Sequence, residues 1–375
     1  TVRNIIVNAP SKSCAALDPI PTRTLKACLD TVLPVITAII NSSLESGIFP
    51  QKLKEGRISP ALKNTSLNQD DFCNYRPITN LAFVSKVLER VVAGQSRNYL
   101  VNNNLYPSLQ SAYREFHSTE TALLRVHNDI LRAIDNKKEV VLVLLDLSSA
   151  FDTIDHDILI SRLRTQFGFS GTVLSWFKSY LTNRSQRVVI NNTISTSQPL
   201  AHGVPQGSVL GPLLFILYFA PLQDIIRSHD LDCMMYADDS QIYITIQPTC
   251  RELSLERLDL CIKDVKEFFH SNMLACNIRK TDIVHFLSRY SRIDPISSVS
   301  VGDVNIVPSP QVRNLGVIFD TNMSMSAHVN KICRSGHHAL RSIGRIRKYL
   351  SPSSTERLVH AFITSKVDYC NSLLF

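Results

Sequence analysis

Apolar residues recur along this chain at two spacings, and each spacing predicts an element. Over residues 81–99, Val84, Val87, Leu88, Val91 and Val92 return at steps of three and four, the period of a helix with one buried face. Leu123, Val126, Ile130 and Ile134 repeat that period over residues 119–134, where Ser118 or Thr119 can cap the first turn. Leu255, Leu258, Ile262, Val265 and Phe269 carry it through a longer amphipathic helix. Another helix is expected to start near Asp155, with Ile158, Leu159 and Leu163 inward, and the last fifty residues read as helical. Residues 1–56, punctuated by Pro19, Pro21, Pro34, Gly47 and Pro50, predict a small helical extension.

The other spacing belongs to strands. Residues 140–145 are all apolar and half of them valine, which predicts a short strand buried on both faces and ending at Asp146. Residues 231–246 predict a hairpin whose outgoing arm alternates Ile242, Ile244 and Ile246 with Gln241, Tyr243 and Thr245, the period of a half-buried strand. Strand signals at 186–190 and 195–200 flank Asn191-Asn192 as a second hairpin, and others stand at 283–287 and 315–319. The longest apolar run, residues 209–222, is interrupted by Gly211, Pro212 and Pro221. It falls short of the roughly 20 residues a membrane-spanning helix needs, so a buried helix is expected and no membrane partner.

Composition narrows the class without naming it. At 375 residues the chain exceeds one average domain, and 44% hydrophobic with 7% aromatic residues is ordinary globular content. A peptide, a coiled coil and a mainly disordered chain are excluded. Nine scattered cysteines without a C-x-x-C spacing argue for reduced thiols, against a zinc site, and for a nuclear or cytoplasmic setting. The absence of Met at position 1 and the apolar end Ser372-Leu373-Leu374-Phe375 are expected of a piece of a longer chain.

The net charge of +8 is only a weak pointer to a polyanion, but its distribution is uneven. Glu139, Asp146, Asp152, Asp155 and Asp157 fall within residues 139–160 with no Lys or Arg, and Asp230, Asp232, Asp238 and Asp239 fall likewise within 228–243. Residues 331–375 carry eight Lys/Arg against Glu356 and Asp368. Like-charged carboxylates at strand ends repel, and a divalent cation resolves the repulsion. Asp146 and the turn pair Asp238-Asp239 offer the hard oxygens that suit Mg²⁺, which takes substrate phosphates as remaining ligands. Solvated turn aspartates are the other reading of the pair, and spacing alone does not choose between them.

The flanking residues do. Tyr236-Ala237-Asp238-Asp239, after Met234-Met235 and before an alternating strand, resembles the YxDD hairpin of reverse transcriptases. Leu145-Asp146-Leu147-Ser148-Ser149-Ala150-Phe151-Asp152 resembles their strand-end motif for the first metal ligand, and His202-Gly203-Val204-Pro205-Gln206-Gly207-Ser208 is similar to their PQG motif. Asn74-Tyr75-Arg76-Pro77-Ile78-Thr79-Asn80-Leu81 with Ser85-Lys86-Val87-Leu88-Glu89, Gln110-Ser111-Ala112-Tyr113-Arg114, Asn277 with Lys280-Thr281, and Leu315-Gly316-Val317-Ile318-Phe319-Asp320 resemble blocks of LINE-type, non-LTR retrotransposon polymerases of the jockey-like group. So does the opening Leu17-Asp18-Pro19-Ile20-Pro21. Departures are mild: Ala112-Tyr113-Arg114 stands where Gly-Phe-Arg is frequent, and Asp282 where glutamate is.

The resemblance implies an α/β (α+β) right-hand polymerase: a helical extension over 1–56, fingers over 57–138, an antiparallel-sheet palm over 139–322 and the start of a helical thumb over 323–375. It implies that Asp146, Asp238 and Asp239 hold two Mg²⁺ ions, with Mn²⁺ a possible substitute, while Asp152, Asp155 and Asp157 are solvated or cap a helix. Phe151 would exclude a ribose 2′-hydroxyl, Gln206 and Gly207 would meet the incoming deoxynucleoside triphosphate, and Lys280 would protonate the pyrophosphate leaving group. Arg76 and Arg114 would contact triphosphate, template or a structural carboxylate. The implied partners are an RNA template and a DNA primer or target. A silent remnant that only binds nucleic acid is the alternative, although it has no need of the three aspartates.

Overall fold

Along the chain, helices α1 (Val2–Asn8), α2 (Thr22–Ala27) and α3 (Leu29–Ser46) precede strands β1 (Glu55–Leu62) and β2 (Tyr75–Asn80) and helices α4 (Phe83–Asn102) and α5 (Thr119–Asp135). Strands β3 (Glu139–Leu145) and β4 (Leu147–Ser148) lead to helices α6 (His156–Thr165) and α7 (Gly171–Leu181), then to strands β5 (Arg184–Ile190), β6 (Thr193–Ile194) and β7 (Gln198–Leu200). Next come α8 (Gly211–Phe219), α9 (Pro221–Ser228), the pair β8 (Asp232–Tyr236) and β9 (Asp239–Ile246), and α10 (Arg251–Ser271). Six short strands follow: β10 (Ala275–Cys276), β11 (Asp282–Phe286), β12 (Val299–Val301), β13 (Val304–Ile306), β14 (Gln311–Asn314) and β15 (Val317–Asp320). Helices α11 (Ser326–Ile346) and α12 (Pro352–Val359) lie beyond them. This computed structural model describes residues 1–10, 17–18, 20–191, 193–277, 280–301 and 304–374; Cys14, Pro19, Asn192 and Phe375 lie outside the described residues.

The contacts divide the chain into two compact units. One joins Thr1–Pro107, Ser149–Ala220 and Ser271–Ala275; the other joins Ser108–Ser148, Pro221–His270 and Cys276–Phe375.

In the first unit, β1 pairs antiparallel with β2 and parallel with β5. Neither β1 nor β2 carries a strand period in the sequence, because Pro60 and Pro77 interrupt them. The register explains how both are tolerated: Pro60 faces Pro77 directly, and the pairing with β5 ends at Ile58. Thr79 N donates outside the pair, to the Gln206 carbonyl, so its rung with Ile58 is of the non-hydrogen-bonded kind and so is the Pro77–Pro60 rung two positions on, where missing donors cost the ladder nothing. The expected hairpin around Asn191 forms between β5 and β6, but its second arm is split, since β7 pairs separately with the start of β5. Helix α8 is the buried helix expected of the long apolar run, with both of its faces inward.

In the second unit the central sheet runs β11-β3-β9-β8, all antiparallel. Its strands come from the expected runs at 140–145, 231–246 and 283–287. Helix α5 packs Ala122, Leu123, Val126 and Ile130 into one core with Val140 and Leu142 of β3, Met234 of β8, Tyr243 of β9, and Val284 and Phe286 of β11. Its start is a closed capping box in which Ser118 Oγ accepts from Thr121 N and Thr121 Oγ1 accepts from Ser118 N. β9 differs from its half-buried expectation: Gln241 through Tyr243 are buried along with Ile244 and Ile246. The α5 core covers the Tyr243 side, and the Tyr243 hydroxyl stays satisfied by donating to Asp129 at 2.6 Å. The 315–319 signal resolves into a hairpin, β14 with β15, whose turn is Leu315-Gly316. The fold class is therefore mixed α/β with an antiparallel sheet backed by helices, and no described helix is long and apolar enough to cross a membrane.

The first acidic island is less unpaired than its sequence. Glu139 is 1% exposed and accepts on one oxygen from Arg251 and from His285 Nε2, both at 2.7 Å. Its counter-charge, Arg251, and its second donor, His285, both lie more than a hundred positions away, so local counting misses them.

Candidate active site

Strand β3 ends where its apolar run ends, and the next residue, Asp146, stands at the mouth of a cleft of about 380 Å³ in the second unit. Asp239, the first residue of β9, lines the same cleft, because β3 and β9 are paired from Glu139↔Ile246 to Leu145↔Ser240. Lys280, Asp282, Arg313, Asn314 and Gln241 complete its walls. Lys280 Nζ donates to Asp146 Oδ2 at 3.0 Å. The Lys280 segment is itself mounted on Asp146: Asn277 N donates to the Asp146 carbonyl at 2.9 Å, and Lys280 N donates to the Asn277 carbonyl at 2.9 Å. Desolvation, reinforced by the Asp238 and Asp146 carboxylates, pushes Asp239 up to about 6 against the opposing pull of Lys280.

Asp238 occupies the two-residue turn between β8 and β9, with Ala237 before it. Ala237 has φ +57° and is held by the buried Gln110, whose Nε2 donates to the Ala237 carbonyl and whose Oε1 accepts from Ala237 N. The Asp238 charge reaches Tyr113, whose phenol is raised by burial first and then by Asp238 and Tyr236. Arg114 is half-buried in the loop before α5. The second hairpin of the cleft is tied in by Asn314, whose Nδ2 donates to Gln241 Oε1 at 2.7 Å, both side chains being buried.

The remaining candidates lie in the first unit. Gln206 Nε2 donates to both oxygens of Asp152, at 2.9 and 2.8 Å. Asp152 is exposed, as its solvated reading expects, and is in addition a partner of the PQG loop; partial desolvation raises its carboxyl while the Gln206 bond lowers it. Asp155 does cap α6, accepting from Ile158 N at 2.9 Å, and Asp157 is exposed in the first turn. The Gln206 carbonyl accepts from Thr79 N at 2.7 Å, which fastens the loop to the end of β2. Gly207 has φ +121°, and a Cβ there would stand 2.5 Å from the Thr79 oxygen, so only glycine fits. The half-buried Phe151 stacks on Phe215 of α8 with centroids 4.9 Å apart, and its carbonyl accepts from Val204 N at 2.9 Å. Arg76 is exposed on β2, opposite Ala61.

The second unit thus brings Asp146, Asp239 and Lys280 to one cleft, with Asp238 in the adjoining turn, and the first unit brings Gln206, Gly207 and Asp152 together beside Phe151. The roles of Gln110, Asp152 and the Gln241-Asn314 pair are missing from the sequence reading. Each acts through long-range hydrogen bonds, which leave no periodic trace; only the places of Gln110 and Asp152 in motif blocks could have drawn attention to them.

The donor set fits a hard divalent cation. Asp146, Asp239 and Asp282 line one cleft, Asp238 adjoins it, and a lysine ammonium already neutralises Asp146. Among the described residues no three His, Cys, Asp or Glu side chains form a ready-made cage. Mg²⁺ needs only one or two carboxylates and otherwise keeps water and substrate phosphate.

The profile of the family "Reverse transcriptase (RNA-dependent DNA polymerase)" matches residues 63–319. The chain is 30% identical over 336 residues to a probable RNA-directed DNA polymerase from transposon X-element of Drosophila melanogaster, covering 88% of this chain and 36% of that protein. It is 27% identical over 359 residues to the corresponding protein from transposon BS of the same species, covering 94% and 38%, and 27% identical over 337 residues to the RNA-directed DNA polymerase from its mobile element jockey, covering 88% and 36%. The chain therefore spans little more than a third of these relatives' length. Among solved structures it is similar to apo telomerase from Candida tropicalis, with a TM-score of 0.49 and 11% identity over 73% of this chain and 56% of that one. With the three aspartates, the PQG loop and the matched profile on one chain, this protein belongs to the reverse transcriptase family.

Proposed function

We propose that the chain is the RNA-directed DNA polymerase portion of a non-LTR retrotransposon protein, adding deoxynucleotides to a primer 3′-hydroxyl on an RNA template. The observation that carries the reading is the meeting of Asp146, Asp239 and Lys280 in one cleft. Asp146, Asp238 and Asp239 would hold the two Mg²⁺ ions, which would supply activation of the 3′-hydroxyl and charge neutralisation on the leaving oxygen. The hydroxyl oxygen bonds to the α-phosphorus as the bond to pyrophosphate breaks, so the site needs positioning and electrostatics more than covalent help. Lys280, released from Asp146, offers an ammonium proton to the pyrophosphate. As in the family the chain resembles, Gln206 and Gly207 would meet the incoming deoxynucleoside triphosphate, and the Phe151 ring would exclude a 2′-hydroxyl by volume.

In this reading residues 57–138 are fingers, 139–322 palm and 323–375 the start of a thumb, with 1–56 an extension, and the protein works inside the cell, in nucleus and cytoplasm. Arg76 and Arg114 serve template or triphosphate phosphates. Extension of a labelled DNA primer on an RNA template, with wild type beside Asp238→Asn and Asp239→Asn, tests the reading. Loss of extension in both variants is expected. Equal extension by all three proteins would sink the metal assignment, and duplex binding without extension by wild type would favour the silent remnant.

A further inference from the structure

We propose that Gln110 is a positioning residue of the polymerase site, its side-chain amide clamping both backbone polar atoms of Ala237 and so fixing the turn that presents Asp238 and Asp239. The proposal rests on the polymerase reading above. Tyr236 and Asp239 face each other across the hairpin, leaving Ala237 and Asp238 as its two central residues. Of these two, only Ala237 has a positive φ, +57°. A positive φ at the first central residue alone is the sign pattern of a II′ turn, whose first position is ordinarily glycine. Alanine pays a steric penalty there, and such a conformation persists only where its surroundings over-determine it.

Gln110 supplies the determination. It is 2% exposed, and its Nε2 donates to the Ala237 carbonyl at 3.2 Å while its Oε1 accepts from Ala237 N at 2.9 Å and from Ala112 N at 3.0 Å. Two backbone donors aimed at one side-chain atom also settle the amide's orientation, since the opposite assignment would set an NH₂ group against two N–H groups. The clamp is anchored in turn: Met235 N donates to the Leu109 carbonyl at 2.9 Å and Ser111 N to the Met235 carbonyl at 3.0 Å, so Gln110 forms an isolated parallel bridge with Met235 of β8. The bond to Ala112 ties the same amide to the loop carrying Tyr113, whose phenol feels the Asp238 charge.

Supporting groups of this kind typically cost 10- to 100-fold in metal affinity when removed. Mn²⁺ binding by the nucleic-acid-free chain, followed by electron paramagnetic resonance, reads the effect directly, beside melting curves and primer extension. Gln110→Met keeps the volume and removes the clamp; a loss of about tenfold or more in Mn²⁺ affinity and a fall in kcat are expected. Ala237→Gly in the Gln110→Met background should restore most of the affinity, because glycine adopts a positive φ without the clamp. Gln110→Asn, too short to reach both atoms, gives the same readout should Gln110→Met not fold. Wild-type affinity in a folded Gln110 variant, or a loss that Ala237→Gly leaves unrepaired, would overturn the proposal while wild type still binds Mn²⁺ and extends primers. Wild type that neither binds Mn²⁺ nor extends would defeat the polymerase reading itself.

Discussion

Single side chains at this site are held by single rungs of backbone, which makes small substitutions informative. Gly207 is the sharpest case in the first unit, since its φ of +121° and the 2.5 Å approach of a would-be Cβ to Thr79 oxygen leave no room for alanine. Gly207→Ala should cost about 2–3 kcal/mol from strain and overpacking together, read as a lower urea midpoint, and should loosen the Gln206-Asp152 contact. A midpoint within error of wild type would show that the loop can move off β2. Phe151 presents two roles at one ring: it stacks on Phe215, and it is only half-buried. Phe151→Val should raise incorporation of ribonucleotides relative to deoxynucleotides, measured by competition in primer extension. Unchanged sugar selection with a lowered melting temperature would leave the ring a packing element alone.

Elements were legible where one face repeats and illegible where distant partners decide. Helices α4, α5 and α10 announce themselves because each buries a stripe that returns every three or four residues. β1 and β2 do not, since Pro60 and Pro77 break the local signal and only their mutual register makes them harmless. The start of α8 is another such case: Glu89, fully buried on α4, accepts from Val209 N at 2.7 Å and Leu210 N at 3.2 Å, and from the Tyr180 hydroxyl and Ser85. A carboxylate at the positive end of α8 thus adds a distant cap to the local one, in which Ser208 Oγ accepts from Gly211 N at 3.0 Å. Glu89→Met would leave those amides without an acceptor and should cost about 3–4 kcal/mol in denaturant unfolding. The Glu139-Arg251-His285 contact similarly joins the starts of β3 and α10 to β11. His285 Nδ1 accepts from Ile296 N while Nε2 donates to Glu139, so the folded ring is neutral, and burial holds its pKa below 6.5. The unfolded chain then binds a proton that the folded chain refuses. Stability from this site should be complete above about pH 6.5 and drain as pH falls toward the depressed folded value, and His285→Gln should flatten that slope.

Over the whole molecule the net charge of +8 matters less than where the charges stand. Asp146, Asp239 and Asp282 line one cleft, whereas α11 carries Arg334, His338, Arg341 and Arg345 at steps of four, three and four, which places them along one side of the helix. All four are exposed, and none takes part in an ion pair among the described residues, while His328 and Ile343 are the positions α11 buries. Unneutralised guanidinium groups along one face suit a phosphate backbone, whose binding releases counterions and therefore weakens as salt rises. The sequence showed the excess of charge in this stretch but not its facing, because facing needs the helix to be continuous through Gly336 and Gly344, which it is. Replacing Arg334, Arg341 and Arg345 together by alanine should weaken binding of an RNA–DNA duplex at low salt, where the counterion term is largest. The slope of log affinity against log salt should fall by about one for each contact removed, so that variant and wild type converge as salt is raised. Fluorescence anisotropy across a salt series measures both, and parallel lines for the two proteins would take this face of α11 out of the nucleic-acid interface.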